Sequence, residues 1–200
     1  VNDVIDLKND SRNPDKQHSP LVSKKISSKV AIIIAIILLS ISSYGSMRLS
    51  IDSLPIVGLL IIYNIAYSFL LKQLPWLELF IGGFTHIVRL FLGYIVASGT
   101  INLEALFPYI ILIYSIGFYV LVEKRLYELP KGKEIRNVLQ YYSTKSLTGV
   151  RYAVIIATIL LLLTIESPLW TIFFAVGIVV LRFISSQKDF YRSFLKVMFG

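Results

Sequence analysis

The residues best suited to chemistry stand at the start of the chain. Asn2, Asp3, Asp6 and Asp10 are spaced three and then four residues apart, so in a helix the carboxylates share one face over two turns. Like charges stacked in this way repel and call for a compensating cation. Oxygen-only donors at this spacing suit Mg²⁺, which binds through a few carboxylates and completes its shell with substrate phosphates. The same spacing also fits a solvated acidic face balanced by Lys8 and Arg12. Asn13-Pro14 ends the segment, and Asp15 to His18 follows as a polar loop.

A second group lies in the middle of the chain. Lys124, Arg125 and Glu128 are helical neighbours, followed by a turn at Pro130-Lys131-Gly132-Lys133 and a short helix over Arg136 to Tyr142. Such cations can clamp phosphate, with Arg as a bidentate fork and Lys as a point charge. They can equally be snorkelling side chains at the end of a membrane helix.

The elements that position these groups follow from composition. The chain has 200 residues, 56% of them hydrophobic, and a net charge of +8. Its mean hydropathy is +0.72. A soluble domain of this size cannot hide so much apolar surface. Apolar runs fall near 30–47, 53–71, 77–98, 103–122, 150–165 and 168–186. They predict an all-α, polytopic transmembrane bundle of about six spans, although several runs fall slightly short of the roughly 20 residues that cross a bilayer. Pro55, Pro75, Pro108 and Pro168 are placed at or near helix starts. The stretch 187–200 reads as a short interfacial helix. The absence of Cys excludes disulfides and thiol chemistry.

The basic residues set the topology. Lys8, Arg12, Lys16, Lys24, Lys25 and Lys29 precede the first span. Lys124, Arg125, Lys131, Lys133, Arg136 and Lys145 come four spans later, and Lys188, Arg192 and Lys196 two spans after that. Even numbers of crossings put all three groups on one face, and the positive-inside rule makes that face cytoplasmic. The expectation is one transmembrane domain over 1–200, with a cytoplasmic aspartate-rich segment at 1–29 and a second cytoplasmic motif loop at 123–149. Cations spread between apolar segments report membrane orientation and anionic ligands, not nucleic acid. The acidic segment thus sits at a membrane face dominated by Lys and Arg, which favours its reading as a metal site.

Together, the two groups resemble the UbiA superfamily of intramembrane transferases. Its first motif, Asn-Asp-x-x-Asp-x-x-x-Asp, is matched by Asn2, Asp3, Asp6 and Asp10. Most members carry a second motif, Asp-x-x-x-Asp, in the later loop. Here the chain has Lys124-Arg125-x-x-Glu128 and then Arg136-x-Val138-Leu139-x-x-Tyr142. That pattern is similar to the decaprenyl-phosphate phosphoribosyltransferase branch. Pro14-Asp15-Lys16, Leu71-Lys72, Gly83-Phe84, Arg89 and Gly93 follow the branch's order, while Ser19 stands for an Arg and Glu78 for a commoner Asp. The resemblance implies about nine spans, two before the first motif and one more at the end, so both ends are expected to be missing from a chain that opens at Val1.

The resemblance implies phosphoribosyl pyrophosphate as donor, a polyprenyl phosphate lipid as acceptor and Mg²⁺ as cofactor, in the cell membrane. Asp3, Asp6 and Asp10, with Asn2, are expected to hold Mg²⁺ against the donor diphosphate. Lys124 and Arg125 would clamp donor phosphates, with Lys16 and Arg136 as further contacts. Glu128 would orient Arg125 or a ribose hydroxyl. Arg89, mid-span, is expected to face the bundle interior, paired with Glu78 or touching the acceptor phosphate. Two alternatives stand beside this reading. One is a prenyltransferase with an isoprenyl diphosphate donor and an aromatic or glycerol acceptor; the other is an inactive or non-catalytic membrane fragment.

Overall fold

The computed structural model describes residues 2–132, 136–164 and 168–186, and these form helices, 3-10 turns and loops without strands. The expected interfacial helix at 187–200 lies outside the described residues, as do Lys133 and Glu166. Two short helices, α1 (Asn2–Ile5) and α2 (Leu7–Asp10), open the chain and meet at a bend on Asp6. The long helices are α3 (Ser28–Leu49), α4 (Leu54–Phe69), α6 (Phe84–Ser98), α7 (Leu103–Glu128), α8 (Thr144–Thr164) and α9 (Pro168–Ser186), and α5 (Leu77–Gly82) leads directly towards α6.

Local chemistry fixes several boundaries. Ser27 caps α3 by accepting from the Val30 N–H at 3.3 Å, and Asn102 caps α7 by accepting from the Ala105 N–H at 3.1 Å. Pro55 sits in the first turn of α4 as expected. Pro108 does not mark a start: it lies inside α7, in its second turn, where one ladder hydrogen bond is given up. Gly99, at φ 73°, ends α6 in the left-handed region.

Among the described residues, five stretches are long and apolar enough to cross a membrane: Ser28–Leu49, Ile51–Gln73, Leu77–Ser98, Leu103–Lys131 and Thr144–Thr164. The sixth expected run forms α9, whose described apolar part, Pro168–Val180, is shorter than the other five stretches. None of α3 is buried within the protein, as suits a helix facing lipid.

Packing concentrates around α7. Its contacts with α8 include Arg151 Nη1 at 2.9 Å from Glu123 Oε1, and the hydroxyls of Thr158 and Ser115 2.7 Å apart. In hydrocarbon such polar pairs tie helices together. A buried cluster of Leu79, Phe118, Leu121, Val122, Val138, Leu139, Tyr142 and Leu147 joins α5, α7, the loop after α7 and α8. A second cluster of Ile111, Leu162 and Phe174 joins α7, α8 and α9.

Close approach of α6 and α7 depends on Gly117. A Cβ there would lie 2.9 Å from the His86 ring and 3.7 Å from the Gly83 Cα. Gly117→Val is therefore expected to destabilise the bundle by about 1–3 kcal/mol. Gly45→Ala, with nothing within 4 Å, serves as the neutral control. Thermal midpoints in detergent check this, and equal midpoints for both variants would contradict it.

Candidate functional site

Four crossings separate the N-terminal segment from the loop after α7, and the structure brings the two together. Asp15 accepts from Lys131 Nζ, and from the Tyr127 hydroxyl at 3.3 Å. Between the two segments lies a cavity of about 420 Å³. Its polar end is formed by Asn2, Asp6, Lys72, Lys124, Arg125 and Arg136; its inner end by Ile113, Ile116, Gly117, Val120, Leu121 and His86.

The aspartates do not act as one face. Asp6 is buried, 6% exposed, because Lys72 Nζ, presented by the 3-10 turn Leu71–Gln73, donates to its Oδ1. The same ammonium lies 3.3 Å from Asn2 Oδ1. Asp10 turns instead to Lys16, with Nζ 3.1 Å from Oδ2. Burial raises the Asp10 carboxyl above its ordinary range, and the Lys16 charge partly offsets this. Asp3 is exposed and does not line the cavity. Among the described residues no group of three or more His, Asp or Glu could hold a metal. Asn2 and Asp6 nonetheless converge on one cation, the Lys72 ammonium, and two such oxygen donors fit Mg²⁺ when substrate phosphates supply the other ligands.

The second motif lies on the last turns of α7. Arg125 is 1% exposed. Its Nε and Nη2 donate to Glu78 Oε1 and Oε2 at 2.7 and 2.8 Å, and its Nη1 donates to Glu128. A guanidinium carries five N–H donors. With three taken by carboxylates, Arg125 keeps only two for the cavity, so it is less a free clamp than the expected one. Glu128 thus shares the Arg125 guanidinium with Glu78. Lys124 and Arg136 are half-buried and also line the cavity.

Arg89 departs from expectation. Its side chain is exposed on α6, outside the cavity, and its expected partner Glu78 is already held by Arg125. Two residues were missed as site components. Lys72 was legible through the same parity of crossings that grouped the other cations. Glu78 was legible as an acidic residue within an apolar run, and as a position where the resembled family more often has Asp, but not as the partner of Arg125.

Of the side chains that line the polar end, Asp6 alone among the described residues is acidic, against the cations Lys72, Lys124, Arg125 and Arg136, while Glu78 and Glu128 stand behind Arg125. Apolar helices long enough to span, with a polar cavity mouth at one end, define a multi-pass membrane protein. The sequence model of the UbiA prenyltransferase family matches residues 1–193, and the chain belongs to that family. It is accordingly a membrane-embedded transferase of the prenyl type, acting on prenyl lipids. A comparison with curated proteins finds no match.

Proposed function

We propose that the protein moves a phosphoribosyl group from phosphoribosyl pyrophosphate to a polyprenyl phosphate, with Mg²⁺, releasing pyrophosphate at the cytoplasmic face of the cell membrane. The observation that supports this reading is the cavity's cation excess. Where most relatives would place a second acidic pair, Lys124 and Arg125 stand at the cavity wall. Cations at that position meet donor phosphates directly, without a second metal.

In this reading the donor diphosphate sits between Asn2 and Asp6 on one side and Lys124, Arg125 and Arg136 on the other. The ion held by Asn2 and Asp6 would neutralise charge gathering on the leaving pyrophosphate. Lys72 is placed to share that charge, while Lys16 holds Asp10. The apolar inner end receives the lipid next to its phosphate. An acceptor phosphate oxygen forms a bond to the anomeric carbon, the bond from that carbon to pyrophosphate oxygen breaks, and pyrophosphate leaves with the electron pair. Because the acceptor is already an anion, the protein's work is positioning and electrostatics.

The apolar lining of Ile113, Ile116 and Val120 favours a second reading, an isoprenyl diphosphate donor with an aromatic or glycerol acceptor. Membranes carrying the full-length protein, given labelled phosphoribosyl pyrophosphate, polyprenyl phosphate and Mg²⁺, are expected to yield a labelled lipid. Product from an isoprenyl diphosphate instead would move the assignment to the second reading, and no product from either donor would defeat both.

A further inference from the structure

We propose that Glu78 is the positioning residue of the cavity: it aims Arg125 and Arg136 and seats the loop after α7 as the cavity wall, without touching substrate itself. The inference rests on the reading of the cavity as a diphosphate site.

Glu78 is 0% exposed, and both of its carboxylate oxygens are engaged. Oε1 accepts from Arg125 Nε at 2.7 Å and from the Tyr142 hydroxyl at 3.0 Å. Oε2 accepts from Arg125 Nη2 at 2.8 Å and faces Arg136 Nη1 at 3.5 Å. Three hydrogen bonds take three of the carboxylate's roughly four lone-pair sites, the Arg136 charge faces the remainder, and full burial keeps a ligand away. Its partners are different: Arg125 and Arg136 both line the cavity. The two-point contact fixes the plane of the Arg125 guanidinium, and hence the direction of the N–H groups left over.

The loop is anchored through the same carboxylate. Tyr142 follows the 3-10 turn Asn137–Tyr141, whose Val138 and Leu139 are 2% exposed and pack in one cluster with Leu79, the neighbour of Glu78. While its hydroxyl donates to Glu78, Tyr142 accepts from the Trp76 N–H at 3.0 Å, and its ring meets the Trp76 ring edge-on at 5.1 Å. Trp76 has φ 65°, a backbone state that a tryptophan holds only when its surroundings impose it. Burial, then the adjacent Glu78 charge, pushes the Tyr142 phenol up, which keeps it a neutral donor. One carboxylate thus joins α5, the end of α7 and the loop that carries Arg136.

The test measures calorimetric binding of inorganic pyrophosphate with Mg²⁺ to the full chain in detergent, with donor KM and kcat alongside. Glu78→Gln keeps the shape and loses the charge; it is expected to weaken pyrophosphate binding about tenfold or more, with kcat at saturating donor held within about twofold. Glu78→Asp should recover part of the affinity. Tyr142→Phe removes one hydroxyl and keeps the ring on Trp76; it is expected to weaken binding about fivefold. Should Glu78→Gln fail to fold, Tyr142→Phe decides. Unchanged binding in the folded variants beside a binding wild type would overturn the inference alone. A wild-type protein that binds no pyrophosphate would overturn the reading of the cavity beneath it.

Discussion

Arg125→Ala is expected to cost the fold before it costs the chemistry. Removing the guanidinium leaves the Glu78 carboxylate, with no exposed surface, facing only Tyr142 and Arg136 at 3.5 Å. Breaking a buried ion pair by deleting one partner typically costs about 3–5 kcal/mol, a large share of any domain's stability. The expected result is a marked fall in the thermal midpoint in detergent, or loss of the monodisperse peak on size exclusion. Arg125→Lys keeps the charge but cannot reproduce the fork on Glu78, so it should fall between. Arg136→Ala should cost far less, because that side chain is 23% exposed and makes one long contact with Glu78. A normal midpoint for Arg125→Ala, combined with a raised donor KM, would show that the residue serves as a clamp and not as a keystone.

This prediction reverses the first expectation for Arg125, and the reason shows what a sequence exposes. Periodicity and charge parity made the side of each segment readable: the acidic start, the end of α7 and Lys72 meet at one mouth because even numbers of crossings separate them. The short helical element after Arg136 was also readable, and it appears as the 3-10 turn Asn137–Tyr141. Partnerships across the bundle were not. Glu78 and Arg125 are 47 positions apart and Lys72 and Asp6 are 66, so no local spacing encodes either pair. Hydropathy runs unbroken from Leu77 to Ser98, which hid the interruption at Gly83 between α5 and α6. That same continuity offered Arg89 to Glu78 as a neighbour, whereas the fold gives Glu78 to α7. The aspartates were the subtler case. Their spacing is helical, and hydrogen bonds from the Asp6 N–H to Asn2 and from the Asp10 N–H to Asp6 preserve it locally. Separate lysines then draw Asp6 inward and Asp10 aside, so only part of the motif lines the cavity.

Asp6→Asn is expected to have the largest effect on transfer. Asp6 is the acidic side chain at the polar end of the cavity, so an ion held against the donor diphosphate depends on it more than on Asp3 or Asp10. An ion at a leaving group supplies several kcal/mol of transition-state stabilisation, so the rate should fall on the order of 10²–10³-fold. Asp3→Asn and Asp10→Asn should each fall less, because neither side chain lines the cavity. A fold defect is separable from this loss. The Asp6→Asn change leaves Lys72, 7% exposed, without its counter-charge, whereas Asp6→Asn with Lys72→Met removes the charge from both partners. If the single variant is slow because it is unstable, the double variant should regain its midpoint and some transfer; if it is slow for want of a charged ligand, transfer should stay low as the midpoint recovers. The ion's own binding gives a readout apart from activity. Asp6 is neutralised by Lys72 in the absence of donor, so Mn²⁺ followed by electron paramagnetic resonance should bind weakly alone and more tightly with pyrophosphate, which can take the ammonium from the carboxylate. Linkage requires the converse, tighter pyrophosphate binding with the metal present. Metal binding indifferent to pyrophosphate, or transfer by Asp6→Asn within about tenfold of wild type, would remove Asp6 from the centre of the site.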